Sequence, residues 1–249
     1  NMIKKIIFCL FSGLFILSCS DLKEIADTVK KINQDQSLII QKLNSLEKKV
    51  AEGSKPTPPK KDDKPKSDPN KIYDIAEAGS VVLGNKNASI TVIEWTDFQW
   101  PYCQKSVSLI DEVLKKYPKD VKVVIKNFWI GSHKQAEKAA QYALAANKQG
   151  KYKEMYHAIF ENYRKLRTNE DYPLELAAEL GLDVEKLKAD ANSAKITSQI
   201  DEEIKQMRTS GIPRLSVPKF LINGKEPQGR SLEAWSAMID QELKKNKSK

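Results

Sequence analysis

The sequence predicts an α/β domain with helices inserted mid-sheet, preceded by a long N-terminal helix. Three observations predict it. Three runs, "ASITVIEWTDF" and "VKVVIKNFW" rich in Ile and Val and "VPKFLINGKEP" with Val, Phe, Leu and Ile, read as strands. A long Ala-rich stretch of helical period separates the second run from the third. Ahead of all three, apolar positions recur at alternating spacings of three and four.

From the N-terminus, Lys4 and Lys5 precede "IIFCLFSGLFIL", an apolar run too short to span a bilayer comfortably, and then "ILSC". With Met2 taken as the start, this resembles a bacterial lipoprotein signal, Ile16-Leu17-Ser18-Cys19 standing as the lipobox. The resemblance implies a signal peptide over 1–18, cleavage before Cys19 and acylation of its thiol. Of the 3 cysteines, Cys9 would leave with the signal and Cys19 would become a thioether. Cys103 would remain as a single thiol, with no partner in its own chain.

The periodic stretch comprises Leu22, Ile25, Val29, Ile32, Gln36, Ile39, Leu43, Leu46 and Val50. The strict period without Gly or Pro predicts a coiled-coil stalk over 19–50 and hence a homo-oligomer. "AEGSKPTPPKKDDKPKSDPN" (51–70) carries no large apolar residue and reads as an extended Pro/Lys-rich linker.

The globular domain is expected over 71–249. "ASITVIEWTDF" leads into a helix from Tyr102 to Lys116, striped by Val107, Leu109, Ile110, Val113 and Leu114. "VKVVIKNFW" follows, then helices through "HKQAEKAAQYALAANKQG", "KYKEMYHAIFENYRKL" and the segment from Pro173 to Met207. The last strand carries an Asn223-Gly224 turn signal. "SLEAWSAMIDQELKK" closes as a helix, Ser231 filling half of a capping box that lacks Glu at Ala234.

Composition narrows the function classes. The formal charge of +9 comes from dispersed lysines without the aromatic interleaving of RNA-binding motifs, so no nucleic-acid partner is expected. The 2 histidines, His133 and His157, have no cysteine cluster beside them, and no metal is expected. "GNKN" and "NGKEPQG" are turns rather than phosphate loops, and no cofactor motif is present.

Over residues 81–243 the chain resembles the DsbA-like branch of the thioredoxin superfamily. "VLGNKNASITVIEWTDFQWPYC" is similar to the family's opening, which reads Phe-x-Cys-Pro-Tyr-Cys at its end. "VKVVIKNF" with "AEKAA", then "GLDVEKLKAD", then "SVPKFLING", follow in the family's order. The resemblance implies a thioredoxin-like fold with an inserted helical subdomain, and thiol-disulfide chemistry. It places Cys103, within Trp100-Pro101-Tyr102-Cys103, at the buried resolving position. Glu94 falls at the acidic proton handler beside the site, and Val217-Pro218 at the cis-proline that shapes a groove for extended peptide. Trp100 stands where the nucleophilic cysteine belongs.

Three functions follow from that departure. A redox-silent domain would use Trp100, Val217 and Pro218 to hold extended or unfolded envelope proteins. It would sit lipid-anchored in the bacterial cell envelope, facing the periplasm or the cell surface. Alternatively, Cys103 would act as a monothiol reductase or isomerase drawing on an external thiol. In the third, the stalk is the working part and the domain a docking knob.

Overall fold

A computed structural model describes residues 19–51, 68–77 and 79–247. The expected signal peptide and most of the expected linker, residues 52–67, lie outside the described residues. The chain divides into two compact units, each described by itself.

The first unit contains one uninterrupted helix, α1 (Cys19–Ala51). Val29, Ile32, Ile39 and Leu43 are exposed along it. Leu38 and Ile40 are exposed as well and lie off that seam, so the apolar surface is broader than a strict heptad stripe. No helix among the described residues is long and apolar enough to cross a membrane.

The second unit is built on a four-stranded sheet of order β1-β3-β2-β4, with β1 (Val81–Gly84), β2 (Ile90–Thr96), β3 (Val121–Asn127) and β4 (Lys219–Ile222). β2 and β3 run parallel from Ile90↔Val121 to Thr96↔Asn127. Parallel neighbours need a crossover, and α2 (Pro101–Lys116) supplies it. β4 lies antiparallel on β2, with Glu94 opposite Phe220, and β1 antiparallel on β3.

Successive strand residues face opposite sides of a sheet. Glu94 accordingly meets Ser106 of α2, while Trp95 donates its indole N–H to the carbonyl of Glu203 at 3.1 Å. Glu203 lies on α7 (Ala194–Thr209). Phe220, sharing the face of Glu94, packs edge-on against Trp235 of α8 (Leu232–Lys247), with ring centroids 4.7 Å apart. Helices thus cover both faces, which is why β2 and β3 read as near-continuous apolar runs.

Between β3 and β4 stand α3 (Ala136–Lys148), α4 (Tyr152–Glu161), α5 (Tyr172–Glu179), α6 (Val184–Ala191) and α7. The alanines of α3 let its neighbours approach closely. "KYKEMYHAIFENYRKL" is not the single helix its period suggests: α4 stops at Glu161, and Tyr163–Arg167 forms a 3-10 turn. Asn162 breaks the run, with φ −120° and ψ 17°.

Asn223 and Gly224 both take positive φ, 45° and 79°, as a two-residue hairpin turn requires. The strand expected over "VPKFLINGKEP" ends at this turn, beyond which the chain pairs back through one bridge, Ile222↔Lys225. Tyr73 of the entering segment donates to the Gly224 carbonyl at 2.8 Å instead. Its own carbonyl lies 2.6 Å from where a Cβ at position 224 would stand, so only glycine fits. At α8, Ser231 Oγ accepts from Ala234 N at 3.2 Å, the half of the capping box that the sequence retains.

The insert is fastened to the sheet by a buried acid. Glu203, only 2% exposed, accepts from Asn127 N at 2.8 Å, Asn127 Nδ2 at 2.7 Å, Ser80 Oγ at 2.9 Å and Gln199 Nε2 at 3.1 Å. Burial raises its pKa, and those donors pull it back. The nearby Lys126 ammonium, fully buried, donates to Ala76 O and Ser80 Oγ. Glu203→Ala is expected to cost about 2–4 kcal/mol in chemical denaturation, since it strands the buried Asn127 N–H and removes a charge that favours the Lys126 ammonium. Glu203→Gln, which keeps one acceptor oxygen, should cost less.

Candidate functional site

The chain leaves β2 at Thr96 and reaches α2 through Asp97, Phe98, Gln99 and Trp100. Each residue of this passage is fixed differently. Asp97 is buried, and its carboxylate accepts from Gln99 N at 2.8 Å, Ile130 N at 3.0 Å and His133 Nδ1 at 2.6 Å. Phe98 is buried in the insert, stacked on Phe160 at 5.0 Å and edge-on to Tyr156 at 5.9 Å. Gln99 exchanges two hydrogen bonds with Gln135, side chain to side chain and side chain to backbone.

Trp100 follows as the N-cap of α2, with extended backbone (φ −91°, ψ 121°) and no side-chain cap. Pro101 at the first helical position suits that entry, having no N–H to leave unpaired. The indole is half-buried, its ring 5.4 Å from Tyr102 and 5.5 Å from His133. Tyr102 is exposed.

One turn into α2, Cys103 is fully buried, and its sulfur accepts from Asp97 N at 3.4 Å. Burial pushes its thiol pKa well above the ordinary range, and the neighbouring Glu94 charge pushes it further. The Asp97 N–H only partly offsets this. A thiol so held stays protonated at neutral pH and is a poor nucleophile.

Glu94 is buried on the same face, accepting from Ser106 Oγ at 2.9 Å and Tyr156 OH at 3.0 Å. Burial pushes its pKa up to about 7, against the pull of those hydroxyls and of the Arg230 charge. Ser106 has one proton and two acceptors in reach, Glu94 Oε1 and Cys103 O at 2.6 Å. A protonated Glu94 completes the chain by donating to Ser106 while Ser106 donates to Cys103 O.

Val217-Pro218 is a cis peptide, and both residues are buried. Lys219, next in the chain, pairs with Trp95, so the cis-proline stands at the sheet end where β2 gives way to the Asp97–Trp100 passage. Arg230 Nη2 donates to Pro218 O at 2.9 Å and holds this end of β4. Cys19 opens α1, in the other unit.

The sequence did not single out Asp97, Gln99, Ser106, Gln135 or Tyr156. Only Ser106, one turn beyond Cys103 on the stripe of α2, had a local signal. His133 and His157 pair with carboxylates, His133 with Asp97 and His157 Nε2 with Asp111 at 2.8 Å. Among the described residues no group of three or more His, Cys, Asp or Glu is placed to hold a metal ion.

Glu94 gives a pH signature. Its folded pKa lies above the unfolded value, so between about pH 4.5 and 7 the folded state binds the extra proton. Stability from this group is full at the acidic end and falls as pH rises through that window, by about 3 kcal/mol for an isolated group. Denaturation of Glu94→Gln across the window should show that slope removed.

The family model described as thioredoxin matches residues 76–241, more than half of the chain. Among solved structures, BdbD from Bacillus subtilis in its oxidised form aligns with TM-score 0.60 and 21% identity, covering 70% of this chain and 97% of that one. The oxidoreductase DsbA from Xylella fastidiosa aligns with TM-score 0.52 and 18% identity, covering 63% and 88%. A Na(+)/H(+) antiporter NhaA 1 from Mycolicibacterium gilvum (strain PYR-GCK) is 28% identical over 151 residues. That match takes in 59% of this chain but only 24% of the antiporter's length, so the chain spans about a quarter of the curated relatives it matches. With the family model, the sheet order, the inserted helices and the cis-proline in agreement, the chain belongs to the thioredoxin family and carries the DsbA-like form of its fold.

Proposed function

We propose that this protein is a redox-silent DsbA-like domain that binds extended or unfolded polypeptide in the bacterial envelope. One observation carries the reading: an indole, Trp100, occupies the head of α2, and the thiol one turn further in is fully buried and held protonated. Without a second cysteine beside it, Cys103 cannot close a disulfide within the domain. The cis Val217-Pro218 end of β4 and the half-buried Trp100 supply backbone and aromatic surface for an extended segment. Acylation of Cys19 would anchor the chain to the membrane, facing the periplasm or the cell surface. The exposed apolar face of α1 would pair with further copies and present several grooves at once.

Two experiments test this. In insulin reduction and peptide oxidation assays the protein should be inactive, and Trp100→Cys should gain dithiol oxidase activity. Oxidised beforehand to its disulfide, the restored pair would take two electrons and two protons from a reduced dithiol, which closes to a disulfide in turn, and the head of α2 favours the outer thiolate so released by about 0.3–1 kcal/mol. Melting curves must accompany the assay, since the indole also packs. Turnover by the unaltered protein that Cys103→Ser abolishes would replace this reading with the monothiol reductase or isomerase.

For the stalk, light scattering of the full chain should give an oligomer, and Ile32→Lys should give a monomer by placing an unpaired charge in the seam. A monomer before substitution would end the oligomer proposal.

A further inference from the structure

Beside Trp100 a cleft of about 1050 Å³ runs to Thr168, between the loop after β3 and the 3-10 turn that replaces the end of α4. Trp100 and Tyr163, both half-buried, give it aromatic surface, and Lys134, Arg164 and Arg167 are exposed along it. No Asp or Glu is among its lining residues. Lys134, Arg164 and Arg167 are in no ion pair among the described residues, and the Arg164 guanidinium lies over the Tyr163 ring, 5.4 Å from its centroid. His133 shares the wall, its Nδ1 held by Asp97. Three exposed cations beside an aromatic surface, with no acidic residue among the lining to offset them, ask for an anionic occupant.

We infer that this cleft docks acidic polypeptide: an extended segment that lays an apolar side chain on Trp100 and sets Asp or Glu side chains against Lys134, Arg164 and Arg167. The inference rests on the peptide-binding reading above and adds its selectivity. Polypeptide is favoured over a small anion because the cations are exposed rather than buried and convergent. An apolar centre with a charged rim is the layout of a protein-binding surface. The cleft begins at the residue that heads α2, so one segment can occupy the groove and the cleft together.

The test uses the full chain and two dye-labelled peptides that share an apolar core. One carries Asp and Glu on the flank; in the other these become Asn and Gln. Anisotropy titration at low salt should show the acidic peptide bound about tenfold more tightly, with the preference shrinking at high salt. In Lys134→Gln/Arg164→Gln/Arg167→Gln the ratio of the two affinities should approach one, and each single replacement should reduce it in part. Thermal melts of these surface variants check that they fold. Equal binding of the two peptides overturns the selectivity and leaves the peptide-binding reading standing. A preference that survives in the triple variant places the basic surface elsewhere and also overturns it. Displacement of the acidic peptide alone by phosphatidylglycerol vesicles would overturn it in favour of a lipid surface. Binding of neither peptide removes both the inference and the reading beneath it.

Discussion

A carboxylate taken out of water must find donors for its oxygens, and Asp97 finds them on two loops that are distant in sequence. Its hydrogen bonds to Gln99 N, Ile130 N and His133 Nδ1 fasten the start of α2 to the loop after β3. The geometry around the site depends on this. Phe98 can reach the aromatic cluster of α4 only if the passage turns where it does, and Trp100 can meet His133 only if that histidine is held. Even the thiol is involved, because the N–H of Asp97 donates to its sulfur. One buried charge thus sets the position of the cap residue, the orientation of the imidazole and the floor of the adjoining cleft.

The interior beneath that passage suits protons better than electrons. Glu94, Ser106, Tyr156 and Cys103 form a connected buried group, and in Glu94, Tyr156 and Cys103 burial penalises charge and raises the pKa. In a dithiol protein such a group would serve an exposed thiolate at the helix head. In the proposed redox-silent domain the acid would have no exposed sulfur to serve, and its cost to stability at neutral pH would go uncompensated by redox work. The surface above is of another kind, with the aromatic area of Trp100 and Tyr163 beside exposed Lys134, Arg164 and Arg167.

The central strands were legible in the sequence because β2 and β3 are buried on both faces and keep their Ile and Val content. The cis-proline was legible through resemblance, as were Glu94 and Cys103. β1 was not: four residues ending in Gly84 leave too short a pattern to tell from a turn. The 3-10 turn at Tyr163–Arg167 was hidden because its apolar spacing continues that of α4, and only the backbone at Asn162 ends the helix. Asp97 with His133, and Gln99 with Gln135, were beyond reach for a different reason. Each pair is 36 residues apart, and polar residues in loops carry no period. The site's residue types could be read along the chain, but its bracing could not.

The pairing of β2 with β4 has a consequence for how the molecule is made. Glu94 and Phe220 face each other across one ladder, yet the entire helical insert lies between them in the chain. During synthesis β2 emerges long before the strand that closes its free edge. Contacts of such long sequence separation slow folding, because the loop must be closed before the ladder can stabilise anything. Until then β2 offers an apolar, unpaired edge to any neighbouring nascent chain. A domain proposed to hold the unfolded segments of other proteins is therefore, for a stretch of its own synthesis, a chain that itself needs shielding.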